Sequence, residues 1–429
     1  MKNRIVKWLI FASAGVVFFL LSTTACKDPQ PPLPPNPPKQ EIPGMDEVRD
    51  NVITLVTEKP IGSTIAFGIR LDTLCNMPLI VEGLKDGFLQ QKKDHKYWVY
   101  TITSPVIKLI GPIQSFWCEP PTDENLMPLE ENNLIKSIVV SPTQFLTSLN
   151  CCYSSFHSRT GEYGILEYVD VSKAPNLRYF LIGYNRVTHL DVTKNEKLYS
   201  FYCNSNRLTS LDLSHNKAIE TLCISNNRLG EIDLSSLSLL ESLQCIDCNL
   251  TKLDLRNNHR LETLSVSNNV LTSLDVRNSP HLYHLSAEHN QLREFISNPQ
   301  GELECLDVSQ NQLSVLDLTI FPSLQQLDCY NNQLSELDFS KNTKVFKISC
   351  FNNNIRGNAM TRMLQTLPKN KRKGYIALIK PSSDKEQNRC KKSDVAIAKD
   401  RNWNCLQSIN PQDDYFSIYR DTEPYEGED

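Results

Sequence analysis

Apolar and polar residues alternate with a fixed period over the middle of the chain, between Leu177 and Ile355. In each period of 21 residues, apolar side chains occupy positions 1, 4, 6, 11, 14 and 16, and most other positions are polar. The alternation at positions 4 to 6 is typical of a short β-strand with one buried face. The pattern therefore predicts one short strand per period. The periods begin, without a slip, at Leu177, Leu198, Ile219, Leu240, Leu261, Leu282, Leu303, Leu324 and Val345.

A single period has too few apolar residues to form a core, whereas stacked periods share one continuous core. Repeats of about 20 to 29 residues with this spacing are the signature of leucine-rich repeats. Parallel strands about 4.8 Å apart then build one long sheet. The opposite wall is too short for full helices. The chain is therefore predicted to be an α/β-type leucine-rich repeat solenoid with a mostly extended or short-turn convex side.

Two polar columns accompany the apolar ones. Position 9 is Asn in every period except the fourth, where Cys248 replaces it. A buried Asn there can bond backbone groups that turn away from the strand and would otherwise lack partners. Position 15 is mostly Asp, from Asp170 to Asp338. We expect these carboxylates to cap turns; a ladder of bound cations, which would relieve the repulsion between stacked carboxylates, is the alternative.

The repeats resemble those of bacterial surface proteins, most specifically internalins of the 21-residue class, which carry a cysteine ladder in the strand. The matching residues are Cys203, Cys245, Cys329 and Cys350, all at position 6. Ile, Val or Ala fills this column elsewhere, so the ladder is partial. The resemblance covers a little under half of the chain and implies a surface binding or adhesion protein. It does not name a ligand.

The first 25 residues have the pattern of a lipoprotein signal peptide. Basic residues precede an apolar run from Trp8 to Leu21, which is too short for an ordinary transmembrane helix. Small residues then precede Cys26. This segment resembles a relaxed form of the lipobox of bacterial lipoproteins. The resemblance implies lipidation of Cys26, an N-terminal membrane anchor and an exported outer membrane lipoprotein, at the cell surface of a Gram-negative bacterium. A plain signal peptide or an uncleaved anchor is the alternative.

The rest of the chain divides by composition. We assign residues 26–45 to a Pro-rich tether, because its prolines favour the extended polyproline II conformation. Residues 46–112 contain β-branched and aromatic runs and are predicted to form a β-rich N-terminal cap; a carbohydrate-binding module is the alternative. The repeats are placed at 113–356, and an α/β C-terminal cap with an acidic tail at 357–429.

The repeats before Leu177 are irregular. Counting back by 21 reaches Phe156 and then Ile135, and we expect each to begin a degenerate turn, the latter with Ile138 and Val140 in its strand. Ile113, Phe116 and Cys118 have the spacing of an earlier strand.

The cysteines and the net charge do not change the predicted fold or function. The Cys245-x-x-Cys248 motif resembles a zinc or redox knuckle, but the repeat already places its two residues in the core column and the Asn column. Cys390 and Cys405 lie outside the repeats on either side of a predicted helix; a disulfide between them is one alternative and two free thiols the other. The net charge of -4 gives no case for nucleic acid.

No catalytic, phosphate-binding or metal-binding motif occurs in the sequence, so we expect no enzyme activity, cofactor or metal. Function is therefore predicted to lie on the sheet surface of a monomer. We expect positions 3, 5, 7 and 8 to face outwards, and large side chains there to form the ligand-binding surface: Tyr179, Leu181, Tyr184, Tyr202, Tyr330 and Phe351. Packing of these aromatics under a cap or loop is the alternative.

The predicted function is cell-surface binding or adhesion, in which the concave face recognises a protein or glycan. The alternative is an envelope scaffold or a glycan-capture accessory lipoprotein without an adhesive role.

Overall fold

The computed structural model describes residues 50–92, 95–118, 133–152, 164–299, 301–409 and 422–428. The predicted signal peptide, Cys26 and the tether lie outside the described residues. Among the residues that are described, no helix is long and apolar enough to cross a membrane.

The described residues are mostly short strands. In chain order these are β1 (Val52–Thr57), β2 (Thr64–Leu71), β3 (Ile80–Glu82), β4 (Leu84–Lys92), β5 (His95–Ile102), β6 (Val106–Ile110), β7 (Ile113–Trp117), β8 (Ile135–Val140), β9 (Ser148–Asn150), β10 (Tyr168–Asp170), β11 (Tyr179–Leu181), β12 (Ser200–Tyr202), β13 (Thr221–Cys223), β14 (Ser242–Gln244), β15 (Thr263–Ser265), β16 (Ser273–Asp275), β17 (His284–Ser286), β18 (Glu294–Ile296), β19 (Cys305–Asp307), β20 (Gln326–Asp328), β21 (Lys347–Ser349), β22 (Gly374–Ile379), β23 (Trp403–Ser408) and β24 (Thr422–Pro424). The helices are α1 (Asn358–Thr366) and α2 (Lys392–Asp400).

One long sheet forms the concave wall. Each 21-residue period contributes one strand, and the nine strands pair in parallel without a shift in register, so that Phe180 faces Phe201 and Leu222 faces Leu243. The predicted leucine-rich repeat solenoid is therefore confirmed. The hydrogen-bonded order is β4-β5-β2-β7-β9-β11-β12-β13-β14-β15-β17-β19-β20-β21-β22-β23-β24.

The apolar columns form the core. In the fourth period Leu240, Leu243 and Cys245, at positions 1, 4 and 6, are all fully buried. Burial of a leucine side chain stabilises a fold by roughly 1.5–3 kcal/mol, and each period repeats the contribution.

The Asn at position 9 bonds the backbone of two successive turns, as predicted. Asn269 accepts the amides of Cys248 (3.0 Å) and Leu250 (2.9 Å) at Oδ1. Its Nδ2 donates to the carbonyl oxygens of Cys245 (2.9 Å), Val266 (2.9 Å) and Ser267 (3.2 Å). These bonds satisfy buried groups where the chain leaves the strand.

A second Asn column, at position 19, was not identified from the sequence. Asn195 donates from Nδ2 to the carbonyl oxygens of Val171 and Ala174, at 2.9 Å each. The equivalent Asn216, Asn258 and Asn342 make the same kind of bond. Because the column is interrupted by apolar residues, its period is less visible in the sequence than that of position 9.

The Asp column caps turns on the convex side, as expected. Asp212 Oδ1 accepts the amide of Ser214 at 2.9 Å, and Asp233 accepts that of Ser235 at the same distance. Hydrogen bonds from the Ser214 hydroxyl and amide lower the pKa of Asp212, and those from the Ser235 amide and hydroxyl lower the pKa of Asp233. The convex wall is short turns with isolated strand pairs, such as β16 with β18.

The N-terminal region extends both walls of the solenoid. Strands β2, β5 and β4 continue the concave sheet beyond β7. Strands β8, β1, β6 and β3 form a second sheet, which meets the convex wall where β10 pairs in parallel with β8. Gly68 of β2 lies against the Trp117 indole, which would collide with a Cβ atom there.

The expected strand at Ile113, Phe116 and Cys118 is confirmed, because Phe116 pairs with Leu149 in the concave sheet, but the phase expected for the turn that begins at Ile135 was wrong. Ile138 pairs with Val169, a position 14 residue, so β8 lies on the convex side and not in the strand column. The concave strand of that turn is β9, where Leu146, Leu149 and Cys151 occupy positions 1, 4 and 6. In each period the concave wall has apolar residues at positions 1, 4 and 6, and the convex wall has them at positions 11, 14 and 16, with the same spacing. When the loops between them vary in length, an apolar triplet in the sequence can therefore belong to either wall. Phe156 lies outside the described residues.

The C-terminal cap alternates helices and strands, as predicted: α1, β22, α2 and β23 follow in order, and β24 pairs antiparallel at the edge. Asn388 continues the Asn column, because it accepts the amide of Ile355 (2.8 Å) and donates to the carbonyl oxygens of Cys350 and Leu378. Beside it, the buried Glu386 accepts the amides of Asn352 and Lys380.

The disulfide considered for Cys390 and Cys405 is not formed in the structure, where both are free thiols. Both pack in the hydrophobic core of the cap, and burial raises the pKa of Cys405 to about 12. Tyr425 bonds to the backbone of both, donating its hydroxyl to Cys390 and its amide to Cys405, at 3.0 Å each. Burial and this backbone bonding therefore account for the two residues without a cross-link.

Candidate functional site

The first strands of the regular repeats present tyrosines on the concave face. Tyr179, at position 3, is 44% exposed, and Tyr199, at position 2 of the next period, is 40% exposed. Their rings lie edge to face, with centroids 5.9 Å apart. Leu181 and Tyr202 are half-buried and directly paired in the sheet. We call Tyr179, Leu181, Tyr199 and Tyr202 the tyrosine patch.

The hydroxyl groups of Tyr199 and Tyr202 are protonated donors at neutral pH. A hydrogen bond to the Glu220 carboxylate raises the pKa of Tyr199, and burial raises the pKa of Tyr202 to about 12. The patch therefore combines apolar ring area with phenolic donors, on a sheet whose backbone is fixed by neighbouring turns. Tyr199 was not among the predicted ligand-binding residues, because position 2 precedes the strand.

Tyr184 does not belong to this surface. It is 5% exposed, and its φ of 59° lies in the left-handed region. The expectation that Tyr184 faces outwards was wrong, although Asn226, Asp247, Asn268 and His289 at the same position are exposed, as expected. Position 8 is where the chain turns away from the strand in each period. The same conformation recurs at Ser205, Asn226, Asp247, Asn268, His289, Gln310, Asn331 and Asn352.

Tyr330 and Phe351 are also buried, at 3% and 2% exposed, so their predicted exposure was wrong. Their rings stack with centroids 4.7 Å apart and form a small cluster with Ala377 and Leu406. These two partners come from β22 and β23, which continue the sheet past the last period. The pair thus packs against the cap, which was the alternative interpretation.

An acidic group that the sequence analysis did not identify lies between the two aromatic regions. Asp307 and Asp328 are paired in register on β19 and β20, and Glu288 follows β17 on the same face. Burial raises the pKa of Glu288, and burial together with the Glu288 and Asp328 charges raises that of Asp307. Reading position 5 as a column across periods would have revealed the adjacent Asp residues.

The cysteines of the repeats are packing residues. Cys245 and Cys248 are fully buried, and burial raises the pKa of Cys248 to about 12. Cys223 lies at position 5, which was expected to face outwards, but it is 1% exposed, and burial also raises its pKa to about 12. Because the thiolate is the reactive form, these residues are poor nucleophiles.

Comparison with protein-family models gives no match, and no curated protein matches the chain. Solved structures do match. The functional domain of InlJ from Listeria monocytogenes, which includes a cysteine ladder, is 22% identical over 62% of this chain and 74% of that chain, with a TM-score of 0.38. The internalin InlF of the same species is 17% identical over 63% and 79%, with a TM-score of 0.48. A leucine-rich repeat protein from Leptospira interrogans is 17% identical over 62% and 72%, with a TM-score of 0.47. The structural neighbours of this chain are internalins and other leucine-rich repeat proteins.

Proposed function

We propose that this chain is a cell-surface binding protein, which recognises a protein or glycan ligand through the concave face of its solenoid. The observation that carries the proposal is the exposed pair of Tyr179 and Tyr199 on a rigid parallel sheet. Tyrosines bring large contact area at low entropy cost and are enriched where binding energy concentrates.

The surroundings of the pair support recognition rather than packing. Leu181 and Tyr202 provide a half-buried apolar floor, and the Glu220 carboxylate raises the pKa of the Tyr199 hydroxyl. Towards the middle of the sheet, Thr263 and Ser265 continue the face with small polar side chains. An apolar centre bordered by polar groups is the usual anatomy of a binding surface.

The proposal includes attachment of the mature chain to the membrane through lipidated Cys26, with the Pro-rich tether as a spacer. It is supported by the order of basic, apolar and small residues before Cys26. Envelope scaffolding without an adhesive role is the second candidate, and the burial of Tyr330 and Phe351 under the cap favours it, because that part of the face is already covered.

Arrayed extracellular proteins and glycans, probed with cells that carry the full chain, test the proposal. The variants Tyr179→Ala and Tyr199→Ala are each expected to weaken capture by about tenfold, as for anchor residues at interfaces. Tyr168→Ala is the matched control, since Tyr168 is 36% exposed but lies on the convex side. Equal loss in all three variants, or no loss in the first two, would refute recognition by the tyrosine patch.

A further inference from the structure

The acidic group on the concave face consists of three carboxylates from three successive periods, two at position 5 and one at position 7. Asp307 and Asp328 face each other across neighbouring strands, which lie about 4.8 Å apart. Glu288 accepts hydrogen bonds from the Tyr330 hydroxyl (3.0 Å) and from Gln310 Nε2 (2.9 Å). We call Glu288, Asp307 and Asp328 the carboxylate cluster.

The positive charge beside the cluster does not balance it. Lys347 Nζ lies 3.3 Å from Asp328 Oδ2, in a pair whose side chains are only 17% and 20% exposed. Asp307 is held by uncharged donors, the amide (3.0 Å) and hydroxyl (2.6 Å) of Ser309. Three partly buried carboxylates thus face a single ammonium group, and like charges in such a site repel.

Two buried oxygen atoms beside the carboxylates are unsatisfied. Asp328 Oδ1 is buried, and no group among the described residues bonds to it. Ser349 is fully buried and paired in register with Asp328, and its Oγ also has no hydrogen-bond partner in the described part of the chain. Buried polar atoms without a partner are rare in native proteins, and they mark a place where a donor is missing.

We propose that the carboxylate cluster binds a basic side chain of the protein ligand, with a guanidinium as its best match. A guanidinium offers five N–H donors in a planar fork, which suits paired carboxylates. Asp307, Asp328 and Glu288 each keep part of their surface open to solvent, so such a group can enter from the concave side. Within the described ranges, no group of three or more His, Cys, Asp or Glu is arranged to hold a metal ion.

This inference rests on the proposed function and gives it a chemical class, a polypeptide that carries an exposed arginine. The cluster and the tyrosine patch lie on the same continuous sheet, so one extended ligand can contact both. The patch would supply apolar contact, and the cluster would select for charge.

The probe is a fluorescein-labelled Gly-Ser-Arg repeat peptide, added to the full chain at low ionic strength and followed by fluorescence polarisation. Its control is the same peptide with citrulline in place of arginine, which keeps the shape and removes the charge. Asp307→Asn and Asp328→Asn are each expected to weaken binding of the arginine peptide by at least about tenfold. Glu336→Gln is the matched control, because it removes the same charge from a side chain that is 77% exposed outside the cluster.

Equal binding of the two peptides, or equal weakening by Glu336→Gln, would overturn the inference in favour of non-specific attraction. Saturable calcium binding that Asp307→Asn abolishes would replace the basic side chain with a metal ion and also overturn it. Circular dichroism of each variant separates lost binding from lost folding. If the cluster variants bind the arginine peptide normally while Tyr179→Ala still loses the cellular ligand, only this inference fails. The reverse outcome would remove the tyrosine patch from the proposed function.

Discussion

Replacement of Asn269 by Ala is expected to destabilise the centre of the solenoid strongly. The side chain is 6% exposed and makes five hydrogen bonds to backbone groups. Alanine leaves the buried amides of Cys248 and Leu250 without their acceptor. Each unsatisfied buried group costs about 1–3 kcal/mol, so the two amides alone predict a loss of about 2–6 kcal/mol.

Two further substitutions make the prediction quantitative. Asn258→Ala removes two buried bonds from Nδ2, to the carbonyl oxygens of Leu234 (3.2 Å) and Leu237 (2.9 Å), and orphans no amide. We expect it to cost about 1–2 kcal/mol. Asn257→Ala removes one exposed bond to the Ser235 carbonyl oxygen (3.1 Å) and is expected to cost less than about 0.5 kcal/mol.

Urea denaturation of the full chain gives the free energy of unfolding for each variant, and hydrogen exchange locates the loss. Because each repeat contacts only its neighbours, Asn269→Ala should expose the amides around Leu250 while the C-terminal cap stays protected. Stability of Asn269→Ala within about 0.5 kcal/mol of Asn257→Ala would refute the view that the Asn column satisfies buried amides.

Three more outcomes follow from the same structure. Cys248→Asn restores the interrupted Asn column and should stabilise the chain by about 1 kcal/mol in urea denaturation; destabilisation would mean that the thiol packs better than the amide bonds. Asp307→Asn should raise stability at neutral pH, because the buried carboxylate is removed. Since the pKa of Asp307 is raised on folding, the wild-type protein loses stability as pH rises through that value; the gain should therefore shrink as the pH falls, and a gain independent of pH would contradict this reasoning. Cys26→Ser should move the protein from the membrane fraction to the soluble fraction, whereas Cys75→Ser should not; an unchanged membrane fraction for Cys26→Ser would argue against lipidation.

The repeat itself was predictable because every period carries the same constraint. Leu243 and Cys245 must point inwards in a strand that repeats every 21 residues, and Asn269 must bond the turn that follows. Nine copies of one pattern fix the strand register, and the structure has that register.

The early turns were harder to predict because the same apolar spacing occurs on the concave and on the convex wall of each turn. Ile138 and Leu149 both sit in triplets with the same apolar spacing, but they lie on opposite walls. Only the length of the intervening loops decides between them, and loop length is not encoded in apolar spacing.

The exposure of the candidate residues was predicted in part, because strand alternation gives the direction of a side chain but not what covers it. Tyr179 is exposed, whereas Tyr330 lies under the continuation of the sheet, although both were placed on outward positions. Tyr184 shows a second limit, because its left-handed backbone follows from the geometry of the turn. The period of the apolar residues does not predict that geometry. The carboxylate cluster is formed by residues 19 to 40 positions apart in sequence, so it emerges only when the periods are stacked.

Site-specific photo-crosslinking in living cells tests the central claim most directly, because it works without the ligand having been identified. A benzophenone amino acid replaces Tyr179 on the concave face or Tyr168 on the convex side of the full chain. The cells are then irradiated in the presence of the proteins and glycans of their natural environment. The account predicts a defined higher-mass adduct from position 179 and none from position 168. Adducts of equal yield from both positions, or from position 168 alone, would contradict recognition by the concave face.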